Sequence, residues 1–151
     1  MDDKFVLAEF FPYRLNRASE TVSLRFAHRY KTEFGLTRPE WRTIAALGSV
    51  GVMTAKDIGI HSTMHKTKVS RAVHALEQRR WLKRVEDDAD RRFEQIELTP
   101  LGRKKHAELT VLARRYQDSL KNLLGKEAIV QLDAALRAIE NAGELSMGEG
   151  G

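Results

Sequence analysis

Apolar residues in the first part of the chain recur near helical spacing at Phe11, Leu15, Ala18, Val22, Phe26 and Tyr30, and Gly35 follows where a left-handed cap closes a helix. The pattern predicts one long helix from about Phe5 to Phe34, with a looser start near Pro12. Leu36-Thr37-Arg38-Pro39-Glu40-Trp41 then concentrates helix-start signals. Thr37 can cap, Glu40 three residues on can complete a capping box, and Leu36 can pack on Trp41 as a hydrophobic staple. A second helix from about Arg38 to Leu47 follows. After GSVGVM the same grammar returns with Met53, Thr54, Asp57 and Ile58, which predicts a short third helix to Ile60. His61 to Met64 makes a turn, and a fourth helix runs from near His65 to about Arg80.

At about 100° per residue, Val69, Ala72, Val73 and Leu76 of that fourth helix fall on one side, and Thr67, Arg71, His74 and Gln78 on the other. One face is for burial and one for presentation. Trp81 to Val85 and Phe93 to Leu98 read as two short strands, the second alternating with period two, around the charged tip EDDADRR. Thr99-Pro100 opens a fifth helix, which carries Leu109, Leu112, Ala113, Tyr116, Leu120 and Leu123 and ends at Gly125. A sixth carries Ile129, Leu132, Leu136 and Ile139 at steps of three and four. Helices at both ends offer more apolar stripe than one small winged domain buries, so a homodimer is expected. The fold class is mainly α with a small β-hairpin wing. The expected organisation is a dimerisation helix at 1–35, a central winged lobe at 36–100, C-terminal dimerisation helices at 101–146 and a flexible tail at 147–151.

Charge sharpens this picture. The 151 residues carry 26 Lys and Arg against 21 Asp and Glu, a formal charge of +5. Lys66, Lys68, Arg71, Arg79, Arg80, Lys83, Arg84, Arg91 and Arg92 gather around one amphipathic helix and one loop, as a phosphate backbone requires. With no cysteine there is no disulfide, thiolate zinc site or thiol-based redox sensor. The five histidines lie on different elements without a metal-binding spacing, so neither metal nor cofactor is expected. No nucleophile elbow, phosphate-cradling glycine loop or triad supports an enzyme. No apolar run spans a membrane and the start has no basic region before its apolar residues, so a cytoplasmic protein is expected.

The stretch VSRAVHALEQRRWLKRVEDDADRRFEQIELTPLGRKK resembles the MarR family of bacterial transcriptional regulators. The marks are Val69-Ser70-Arg71, Leu76-Glu77, Asp88-Ala89-Asp90-Arg91-Arg92 and Leu98-Thr99-Pro100-Leu101-Gly102-Arg103, in the family's order and spacing. Leu36 to Leu47 is similar to the family's second helix, and with the helix order the resemblance covers roughly Phe10 to Leu145. It implies a winged helix-turn-helix homodimer whose body is held by the first, fifth and sixth helices. A recognition helix containing Val69-Ser70-Arg71 would enter each major groove, and a wing the adjacent minor groove, with Asp90 orienting Arg92. The chain departs from the family at Ser62 and Thr63, where Leu-Gly is usual, and at His65, where an acidic or small polar cap is common.

Arg71 and Thr67 are the candidate base readers, because guanidinium is the best bidentate donor to guanine O6 and N7. Lys66, Lys68 and Ser70 flank them and suit phosphates, and His65 suits either. Arg91 or Arg92 suits a narrow A·T-rich minor groove. The expected function is a sequence-specific regulator, a repressor released from a palindromic operator by a small molecule; the alternative is a nonspecific architectural DNA binder. The resemblance implies small aromatic or phenolic anions as effectors. Tyr13, Arg14 and Arg17, with Phe26, His28, Tyr30 and Trp41, are candidates to hold an aromatic carboxylate or its aryl-CoA thioester. For each of these residues an ordinary role as core ring or solvated arginine is an equal alternative.

Overall fold

The computed structural model describes residues 3–85 and 94–146, with side chains described as far as residue 143. A 3-10 turn at Leu7–Glu9 leads into α1 (Phe11–Phe34), followed by α2 (Arg38–Val50), β1 (Met53–Thr54), α3 (Ala55–Ser62), α4 (Lys66–Gln78), β2 (Leu82–Val85), β3 (Gln95–Leu98), α5 (Pro100–Leu124) and α6 (Lys126–Ser146). The chain divides into two compact units, the first ending at Leu112 and the second beginning at Ala113.

In the first unit, α1 begins at Phe11 rather than near Phe5. Pro12 lies in its first turn, where a missing N–H costs nothing, and a proline ring would clash with the carbonyl four residues back if the helix extended further upstream. Gly35, at φ 64°, closes α1 in the left-handed conformation. The capping box before α2 is formed: Thr37 Oγ1 accepts from the Glu40 N–H at 3.3 Å and the Glu40 carboxylate accepts from the Thr37 N–H at 3.3 Å. Thr54 caps α3 in turn, its hydroxyl accepting from the Asp57 N–H at 3.1 Å.

The sheet has three strands in the order β1-β3-β2, all antiparallel. The strand β1, paired Met53 to Ile96, was not expected from the pattern; it is two residues long, and both read equally well as a staple and a cap. Pairing of Leu82 with Leu98 aims both side chains into a core that also holds Ile44, Leu47, Ile58, Val69, Val73, Leu76, Ile96 and Leu109. The neighbouring pair, Lys83 and Glu97, faces outward and forms an ion pair at 3.2 Å.

Thr99 joins sheet to helix: its hydroxyl donates to the Arg80 carbonyl at 2.6 Å and accepts from the Gly102 N–H at 3.0 Å, capping α5. In the second unit the end of α5 and α6 meet at Gly125, at φ 87°. None of the described α6 side chains is buried, and Val130, Leu132, Leu136 and Ile139 are exposed along it. No helix among the described residues is long and apolar enough to cross a membrane.

Candidate nucleic-acid interface

The two faces of α4 separate as its periodicity requires. Val69, Ala72, Val73 and Leu76 are buried, while His65, Lys66, Thr67, Lys68, Ser70, Arg71 and His74 are exposed. His65 occupies the N-cap in an extended conformation, with no side-chain bond to the helix start. The free N–H groups of that first turn and the side chains of Lys66 and Lys68 therefore face solvent together, and a helix start of this kind favours an anion. The turn before it is tight: Thr63, at φ 54°, caps α3 in the left-handed region, and the Met64 N–H donates to the Gly59 carbonyl at 2.9 Å.

Not all of the basic residues clustered in the sequence belong to this face. Arg79 turns inward: its guanidinium donates to the Phe34 carbonyl at 2.8 Å and the Gly35 carbonyl at 2.6 Å, and stacks on Trp81 at 5.0 Å from the ring centroid. It closes the C-terminal end of α1, with the buried Glu40 carboxylate 3.9 Å away. Arg84 is shared between Glu77 at 3.2 Å and Glu94 at 2.9 Å, and the Glu94 bond leads in raising its pKa above the ordinary guanidinium value. With Lys83 paired to Glu97, three of the nine are committed to the protein itself, because strand and helix ends bring carboxylates and carbonyls to them. The wing residues Asp90, Arg91 and Arg92 and the strand start at Phe93 lie outside the described residues.

A cleft of about 360 Å³ opens beside the start of α4, between α1, the first turns of α2 and the α3–α4 turn. Lys31, Arg38, Arg42, His65 and Lys68 line it. Its carboxylate, Glu20, is held by both terminal nitrogens of Arg38 at 3.0 and 3.2 Å, and that hydrogen bonding lowers the Glu20 pKa. Lys31, Arg38 and Arg42 escaped the sequence reading because they sit on two different helices; the signal available was the spacing of Arg38 and Arg42, four apart on one face of α2.

The effector candidates separate into two groups. Phe26, Tyr30 and Trp41 form one aromatic cluster, with Phe26 edge-on to both other rings at 5.3 and 5.0 Å, and Tyr30 stacked on Trp41 at 5.8 Å. Tyr13 and Arg17 form another, the guanidinium 5.7 Å from the ring centroid. Arg14 and His28 are exposed. About 25 Å of helix separates Tyr13 from Tyr30, so the protomer does not bring the whole set to one place. Among the described residues no group of three or more His, Asp or Glu side chains is arranged to hold a metal ion.

Comparison with known proteins places this geometry. Residues 34–92, from the end of α1 through the lobe, match the MarR family. An uncharacterized HTH-type transcriptional regulator of Bacillus subtilis, YwoH, is 25% identical over 108 residues, covering 72% of this chain and 77% of its own. A MarR family transcriptional regulator from Silicibacter pomeroyi superposes with a TM-score of 0.80 at 25% identity, over 92% of this chain and 98% of that one. BpsR of Bordetella bronchiseptica, whose DNA binding is regulated by 6-hydroxynicotinic acid, superposes with a TM-score of 0.78 at 23% identity, over 91% and 97% of the two chains. The capped α2, the α3–α4 pair and the strands beside them thus form a winged helix-turn-helix, and the stretch from residue 34 to 92 is similar to the MarR family of transcriptional regulators.

Proposed function

We propose that the protein is a homodimeric, cytoplasmic repressor that binds a palindromic operator and leaves it when a small aromatic anion binds. The observation that carries the reading is the division of α4: four apolar side chains are buried, and Lys66, Thr67, Lys68, Ser70 and Arg71 are exposed at the helix start. A helix entering a major groove reads base edges with its early exposed residues, so Arg71 and Thr67 specify sequence while Lys66, Lys68, Ser70 and His65 hold the backbone. Asp90, Arg91 and Arg92 are assigned to a minor-groove contact from the family pattern around them. The apolar stripe of α6 and the exposed Phe11, Leu15 and Val22 of α1 support a dimer, since stripes of this size are otherwise left in water.

Release by a ligand requires different affinities for the DNA-ready form and another spacing of the two recognition helices. An aromatic carboxylate is the proposed class, by analogy with the acid that regulates BpsR. Its anchors are the exposed Arg14 and Arg17 beside Tyr13, where guanidinium pairs with carboxylate and the ring covers an apolar body. Because α1 also carries Arg25 and Arg29, an aryl-CoA thioester is included in the class.

The test is a gel-shift titration against the DNA upstream of the protein's own gene, with competitor DNA and then a panel of aromatic acids and their CoA thioesters. Retention against competitor and release by one compound is the expected result. Binding abolished by competitor, with no compound active, favours an architectural DNA binder instead.

A further inference from the structure

The cleft beside α4 carries more positive charge than anything in it answers. Lys31, Arg38, Arg42 and Lys68 bring four cations to its wall, against one carboxylate, Glu20, which both terminal nitrogens of Arg38 already hold. Counting its Lys, Arg and Glu residues, the lining has a net charge of +3, from four positive residues and one negative. A concave, solvent-facing site with a net positive lining concentrates anions there.

The position of the cleft on the helix identifies the anion. Lys68 is one residue on from Thr67, about 100° around α4, and so stands on the flank of the helix rather than on its reading face. When a helix lies in a major groove about 12 Å wide, its flanks face the phosphates of the bounding strands. Beyond Lys68 on that flank the cleft continues to Arg42 and Lys31. Resting on the DNA-binding reading above, we infer that this cleft is a phosphate seat: it takes a backbone phosphate of the operator, clamped by Arg42 and Lys31 with Lys68, while Glu20 holds Arg38 in place at its edge. Lys31 and Arg42, which lie outside the α3–α4 motif and the wing, thereby join the DNA interface and fix its register without reading sequence.

The experiment uses the full chain and fluorescence anisotropy on operator and random duplexes across a salt series, with Arg42→Ala, Lys31→Ala, Arg42→Lys and, as a control for lost charge, Lys126→Ala on α6. The expected result is a loss of about threefold or more for each alanine variant at the cleft, equal on both duplexes, with the salt slope shallower by about 1. Arg42→Lys keeps the slope and Lys126→Ala changes neither. Placing single neutral methylphosphonates along the operator distinguishes a backbone phosphate from a free anion. At one position wild type loses as much as Arg42→Ala does, and the variant loses nothing further. Variants indistinguishable from Lys126→Ala, or losses that add at every methylphosphonate position, overturn the inference; competition by inorganic phosphate with additive losses assigns the cleft to a free anion instead. If Arg71→Ala abolishes operator preference while the cleft variants do nothing, only this inference falls. A wild-type protein that binds no duplex overturns the reading beneath it too.

Discussion

Thr63 and Arg80 hold φ values of 54° and 64°, a conformation in which an L side chain crowds its own backbone. Both sit at helix exits, Thr63 after α3 and Arg80 two residues after α4, where glycine is the usual solution. Arg80→Gly is expected to raise stability by about 0.5–1 kcal/mol, and Thr63→Gly by a similar amount, measured by chemical denaturation. The Thr63 strain was legible as a departure from Leu-Gly in the turn. That of Arg80 was not, because a run of basic residues reads as charge before it reads as a turn. Tyr30 gives a pH signature. It is 1% exposed, and burial raises its phenol above 10.0, opposed in part by Arg38. The unfolded chain ionises first, so the stability Tyr30 provides is complete below pH 10 and declines as pH rises through its folded value. Denaturation midpoints should fall on that alkaline limb, and Tyr30→Phe should flatten it.

At the scale of elements, two close approaches set how the helices meet. A Cβ on Gly102 would run into the Trp81 carbonyl, so the start of α5 touches the backbone entering β2. A Cβ on Gly48 would meet only the ring of His106, a side chain that can swing aside. Gly102→Ala is therefore expected to cost about 3 kcal/mol and Gly48→Ala clearly less, compared by thermal unfolding. Arg79 joins α4 to α1 through two carbonyls, and Arg79→Ala should cost about 1–3 kcal/mol, because both acceptors lose a charged donor. Much of this layer was legible. Thr37 with Glu40, and Thr54 before Asp57, announced the starts of α2 and α3 through bonds that span three residues. Local chemistry of that kind is written in the sequence. The inward turn of Arg79 depends on the end of α1, 44 residues away in the chain, and the pairing of β1 depends on β3; neither has a local signature. The cationic cleft is of the same kind, since it exists only where α1, α2 and the α3–α4 turn come together.

At the scale of the whole molecule, the proposed function needs two copies of α4. A palindromic site presents its half-sites roughly 34–36 Å apart, so a dimer must hold its recognition helices at that spacing. The stripe of Leu132, Leu136 and Ile139, each at least 40% exposed, is the surface expected to be covered in the dimer. Leu136→Glu should yield a helical monomer by light scattering that no longer retains the operator. If the exposed face of α4 reads sequence, the ratio of operator to scrambled-duplex affinity, measured by anisotropy at one fixed salt concentration, separates wild type from Arg71→Ala. Arg71→Ala is expected to lower the ratio by about 1–3 kcal/mol for a lost bidentate base contact, while affinity for the scrambled duplex changes far less. An unchanged ratio, or an equal loss on both duplexes, would contradict that reading and leave α4 as a backbone-binding helix.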